Sequence, residues 1–148
     1  MWTSAIVAAL HYLALAIGLP AVFLRGRALK RPLDATGLRR LFAADSAWGI
    51  AAALWLVTGL LRAFGGLEKG SAFYLASRLF QLKVGLFVLV VALEVRPMVT
   101  IIRWRRAVAA GQPIDTGVAP ALNRLNHTQL AIVIVMVFVA SAMARGLG

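Results

Sequence analysis

Apolar residues fall in four long blocks, separated by shorter polar stretches rich in arginine. The blocks cover residues 4–24, 45–63, 79–102 and 127–144, each near the ~20 residues that an α-helix needs to cross the bilayer hydrocarbon. The pattern predicts an all-α fold, an integral membrane four-helix bundle forming one transmembrane domain over residues 1–148. Short connections favour antiparallel neighbours, so the expected topology is up-down.

The first block carries His11, Tyr12 and Pro20 and runs into Arg25 and Arg27. With no basic segment before it and no small-residue cleavage signal after it, it reads as a retained span. Residues 25–44 form a polar connection in which 38–42 suggests a short amphipathic helix on the membrane surface. Asp45 is placed to cap the second span, and Gly65-Gly66 to end it. Asp45, Trp48, Ala52, Trp55, Gly59 and Arg62 recur on one face, and Gly49, Ala52 and Gly59 allow a close helix approach. A loop over 66–77 holds Glu68 and Lys69.

The third span contains Lys83 within an apolar run, where a cation costs roughly 3 kcal/mol or more unless it faces a partner or snorkels. Lys83, Phe87, Val90 and Glu94 form one stripe at helical spacing, with an ionisable group at each end. Pro97 is expected to kink or end this helix. Arg103-Trp104-Arg105-Arg106 then reads as an interfacial anchor. A turn-rich linker over 111–120 leads through Asn126 and His127 into the last span.

Composition sharpens this picture. Of 148 residues 61% are hydrophobic and mean hydropathy is +0.86, beyond an ordinary soluble domain. No cysteine is present, which excludes disulfides, iron–sulfur clusters and thiol catalysis. The net charge of +11 would suggest nucleic acid in a soluble protein. Here the cations flank apolar spans and no recognition motif accompanies them, so no nucleic-acid partner is expected. Phosphate-binding, dinucleotide and paired metal-ligand motifs are absent too.

The arginines concentrate in the first and third connections, so the positive-inside rule puts both termini on the non-cytoplasmic side. Depths follow. His11 lies roughly 10 Å in from the outer end of its span and Lys83 roughly 7 Å, so both can reach one object between the helices. His127 falls at the cytoplasmic face, on the order of 15 Å away in depth, which argues against a bis-histidine haem from the two histidines. A histidine facing a lysine in a dry bundle suggests metal or haem ligation, because imidazole is the commonest metal ligand and burial favours a neutral, ligating lysine. The bland alternatives are a helix-bridging histidine and a snorkelling lysine. Asp45, Glu94, Asn126 and His127 cluster near the cytoplasmic face. There they pair with Arg39, Arg40, Arg96 or Arg124, or they bind a cation or relay protons.

The stretches 38–49 and 60–70 resemble an uncharacterised bacterial family of small four-helix membrane proteins, over essentially the whole chain. A more distant likeness is to the HemJ-type protoporphyrinogen oxidases. It rests on Ala9-Leu10-His11, Gln81-Leu82-Lys83-Val84 and Leu125-Asn126, in that order. This chain departs from that pattern at Gly18, Leu93-Glu94 and His127, where HemJ-type chains usually carry a tryptophan, a Tyr-His pair and an acidic residue. The resemblance implies haem b, with His11 as axial ligand of the iron and Lys83 as the opposite ligand or a propionate partner. It implies a haem-dependent oxidoreductase of the bacterial inner membrane, linked to a porphyrinogen or a quinone. The apolar spans themselves make the lipid bilayer a partner, and a homo-oligomer is left open. The competing reading is a small transport or accessory protein without haem, which binds an ion or partner helices through Lys83 and Glu94.

Overall fold

Asp34, not Asp45, begins the second long helix: its carboxylate accepts from the Gly37 amide at 2.7 Å, which satisfies one of the donors a helix start leaves open. The computed structural model describes residues 2–68 and 70–147; Met1, Lys69 and Gly148 lie outside them. The described residues fold into α1 (Trp2–Leu29), α2 (Ala35–Phe64), a short α3 (Ser71–Ala76), α4 (Arg78–Ala109) and α5 (Ala119–Ala144), with no strand among them. The four long helices are each long and apolar enough to cross a membrane. All four outrun the spans read from hydropathy, because their ends carry polar residues that still continue the helix.

Residues 38–42 are thus no separate surface helix. Leu38 and Leu41 are buried within α2, where Leu41 joins Ala28, Leu29, Ile101, Trp104, Ala119 and Leu122 in one core cluster. Trp104, expected at the interface, is inside that cluster for the same reason. α4 runs unbroken through Pro97, as membrane helices often do when neighbouring helices support the turn. Residues 71–76, expected as loop, form α3 instead.

α1 is the centre of the packing and lies against both α2 and α5, while α4 packs chiefly on α5. Small residues allow this. A Cβ added at Gly18 would stand 3.3 Å from the Ala51 Cβ, and one at Gly26 would meet the Asn126 amide nitrogen at 2.7 Å. Gly49, in contrast, faces open space. The outward surface is apolar, with Ile50, Val57, Val88 and Phe138 more than half exposed, whereas Arg25, Asn126 and Gln129 are buried. That inversion suits a chain whose solvent is lipid and whose polar groups must find partners inside.

Candidate functional site

Contacts between His11 and Thr58, and between Arg25 and Asp45, place the start of α1 beside the end of α2. At this end of the bundle a cavity of about 490 Å³ opens, lined from all five helices. Its size falls within the roughly 300–1,000 Å³ of small-molecule and cofactor sites. Its walls are mostly apolar, with Leu15, Trp55, Met136 and Val137 among them, and its polar groups include His11, Arg62, Glu68, Tyr74, Lys83 and Ser141.

His11 and Lys83 therefore meet at one cavity. The histidine is held from behind. Its Nδ1 lies 2.8 Å from the Thr58 hydroxyl, and that hydroxyl donates its own proton to the Leu54 carbonyl at 2.6 Å. A hydroxyl has one proton, so Thr58 can only accept from His11, and the ring hydrogen sits on Nδ1. In the neutral imidazole this leaves the Nε2 lone pair for the cavity. Trp55 packs against the ring with centroids 5.9 Å apart. Gly59 leaves room beside it, since a Cβ there would come 3.5 Å from His11 Cε1. Lys83 makes no hydrogen bond or ion pair among the described residues.

One edge of the cavity carries a hydrogen-bonded carboxylate. Glu68 accepts from Arg62 Nε at 2.7 Å and from the Tyr74 hydroxyl at 2.5 Å, tying the segment after α2 to α3. Partial burial alone would raise the Glu68 carboxyl, but the Tyr74 and Arg62 hydrogen bonds and the Arg62 charge outweigh it and hold it below its ordinary value of 4.5. Burial, with the adjoining Glu68 carboxylate, pushes the Tyr74 phenol up to about 12. A carboxyl whose folded pKa is depressed contributes stability that is complete above its unfolded pKa and is lost as pH falls through the folded one. Proteolysis at the 65–77 segment is therefore expected to be constant from neutral pH down to about 4.5 and to rise below it. In Glu68→Gln that rise should vanish; a rise that persists would show that another group controls the segment.

A second polar cluster lies at the other end of the core, and its hub is a residue that hydropathy assigns to the end of the first span. Arg25 is fully buried. Its guanidinium reaches both Glu94 oxygens at 2.6 and 2.8 Å, Asp45 at 3.1 Å, Asn126 at 2.7 Å and Gln129 at 2.9 Å. Trp48 lies against its face at 5.7 Å. Gln129 donates in turn to Glu94 at 2.6 Å, Asn126 to the Val22 carbonyl at 2.7 Å, and Arg105 to Asp45 at 3.1 Å. All four long helices thus share one network.

Of the four candidates expected at the cytoplasmic face, Asp45, Glu94 and Asn126 belong to this network. Their partners are Arg25 and Arg105, not the expected Arg39, Arg40, Arg96 or Arg124. His127 stands apart, exposed, with Nδ1 on the Asn123 carbonyl at 2.7 Å. Lys83 and Glu94 lie in different sites although they share a helix face. Arg25, Thr58 and Gln129 escaped the sequence reading: the first looked like a terminal flank, and the others carry no charge to single them out. Among the described residues no three His, Cys, Asp or Glu side chains come together as a metal site.

Compared with known families, residues 3–148 match the family described as "Predicted membrane protein (DUF2214)". The chain belongs to this family. The four apolar helices fit that description, and they place the protein in contact with the lipid bilayer. No curated protein matches the chain, and no solved structure does.

Proposed function

We propose that this member of the family binds haem b in the cavity, with His11 as axial ligand of the iron, as the HemJ-like order of its motifs implies. The observation that carries the reading is the Thr58 hydroxyl fixing the imidazole hydrogen on Nδ1, so that Nε2 is the donor presented to a ligand. Metal-bound histidines characteristically make such a second hydrogen bond, which fixes ring orientation and raises basicity. The donor set fits this group. A haem brings four ring nitrogens of its own and asks the protein for one or two axial ligands, whereas a bare metal ion would need the larger cluster that is missing among the described residues.

Lys83 supplies the other polar contact, as the opposite ligand or as the partner of a propionate. Leu15, Trp55, Met136 and Val137 give the apolar walls that exclude water. Bound there, the haem would supply one-electron exchange with a porphyrinogen or a quinone. The end of the bundle away from the cavity carries Arg27, Lys30, Arg31, Arg39, Arg40, Arg103, Arg106 and Arg124. By the positive-inside rule the cavity then faces the non-cytoplasmic side, in a bacterial inner membrane.

The test is an absorbance spectrum, oxidised and dithionite-reduced, of the full chain purified in detergent from haem-replete cells. A Soret band with a reduced α band, in amounts matching the chain, is the expected result. A flat visible spectrum would reject the reading and leave a role in transport or partner binding as the one to pursue.

A further inference from the structure

The cavity mouth is built from groups that do not serve His11. Arg62 uses its Nε on Glu68 and lays its guanidinium on the Tyr12 ring at 5.8 Å. Its terminal nitrogens, four of the five N–H donors a guanidinium carries, make no hydrogen bond among the described residues. Glu68, in contrast, has both oxygens engaged. It is the only acidic residue lining the cavity among the described residues, against two cations, Arg62 and Lys83. With Lys83 protonated, one positive charge is left over at the edge of an apolar chamber. A fixed unbalanced charge there favours a ligand that brings an anion.

The segment bearing Glu68 joins α2 to α3. Gly66 and Gly70 bracket it with φ of 67° and 84°, a left-handed backbone that glycine adopts without strain. α3 then bridges a region where α2 and α4 scarcely touch. It does so through the hydrogen bond of Tyr74 to Glu68 and the ring contact of Tyr74 with Phe80 at 5.1 Å, while Phe64 meets Phe80 at 6.3 Å.

We propose that Arg62 is the binding point for the carboxylate of an acidic, membrane-partitioned ligand, which its terminal nitrogens take while Glu68 keeps Nε. The proposal rests on the reading that the cavity takes an amphipathic ligand, but it does not require iron. Planar Arg–carboxylate pairing is bidentate, and the free terminal nitrogens of Arg62 offer the incoming acid what the Nε contact to Glu68 does not use.

The test uses a metal-free dicarboxylic porphyrin, protoporphyrin, beside its dimethyl ester, with binding to the full chain in detergent followed by quenching of tryptophan emission. The acid should bind roughly ten- to a hundredfold more tightly than the ester, the span of a hydrogen bond to a charged group. Arg62→Gln should cut the advantage of the acid over the ester about tenfold, the remainder belonging to Lys83. Glu68→Gln, which keeps the size of the side chain and removes the competing charge, should bind the acid more tightly than wild type and leave the ester unchanged. Equal binding of acid and ester, no binding of either, or an acid affinity that Glu68→Gln fails to raise would each overturn the proposal. Because the probe holds no metal, such a failure is separate from failure of the haem reading, which is judged on the haem spectrum.

Discussion

Replacing Arg25 with methionine should remove about 3–5 kcal/mol of stability, the cost of breaking a buried ion pair from one side. The size of the effect follows from what the substitution leaves behind. Glu94 loses both of its contacts to the guanidinium, Asn126 and Gln129 each lose one, and Asp45 keeps only Arg105. No water from the lipid side can take over those bonds. A substitution of Glu94 to methionine in the same chain removes the stranded carboxylate, and replacing both charges by packed apolar groups is often close to neutral. The double variant should therefore regain most of the loss. Unfolding by titration with a denaturing detergent measures both, and an Arg25→Met protein as resistant as wild type would sink the account.

This network also explains what the sequence could and could not disclose. The four spans were legible, because a run of some twenty apolar residues has few other homes. So was the meeting of His11 and Lys83, since depth in a helix is arithmetic on rise per residue. Arg25 was not. An arginine closing an apolar block has the same local pattern whether it snorkels or turns inward, and the difference lies in Glu94, Asp45 and Gln129 on three other helices. Helix ends were misplaced on the same ground: Leu38, Leu41 and Trp104 sit among polar residues, and only tertiary contacts with Leu29, Ile101 and Leu122 bury them. Thr58 was silent for a different reason. Threonine in a helix commonly turns its hydroxyl to a carbonyl one turn back, as this one does to Leu54, and nothing local records that the same oxygen also holds His11.

The two polar sites divide the work of the bundle. Arg25 joins α1, α2, α4 and α5 at one end through groups whose hydrogen bonds are largely spent inside the network. The cavity at the other end keeps unspent donors on Lys83 and Arg62 and an unspent acceptor on His11. A fully satisfied polar network rigidifies and specifies a packing, while unspent groups facing a chamber are what a ligand can use. Stability and binding are thereby assigned to separate ends, so substitutions at the cavity should be readable without collapse of the fold.

That separation makes the His11 variants informative. On the proposed haem reading, His11→Ala should abolish the Soret band while the protein inserts and purifies as before, and added imidazole, filling the space vacated beside Gly59 and Trp55, should restore it in part. Thr58→Val tests the finer point, because valine keeps the shape of threonine and removes only the oxygen that receives Nδ1–H. With that acceptor gone, the ring is free to turn or to move its hydrogen to Nε2, where it blocks ligation. The expected loss is roughly 10–100-fold in haem affinity, as for other hydrogen-bond partners of metal-bound histidines, together with a shifted midpoint potential. Thr58→Ser retains the hydroxyl and should restore both. A merely structural threonine would show the reverse, with the melting temperature moving in Thr58→Val while affinity and potential stay where they are. Competition with an apo-globin acceptor measures the affinity and a redox titration the potential. Unchanged values in both would make Thr58 a structural residue only, whereas a Soret band kept in His11→Ala would remove His11 from the iron.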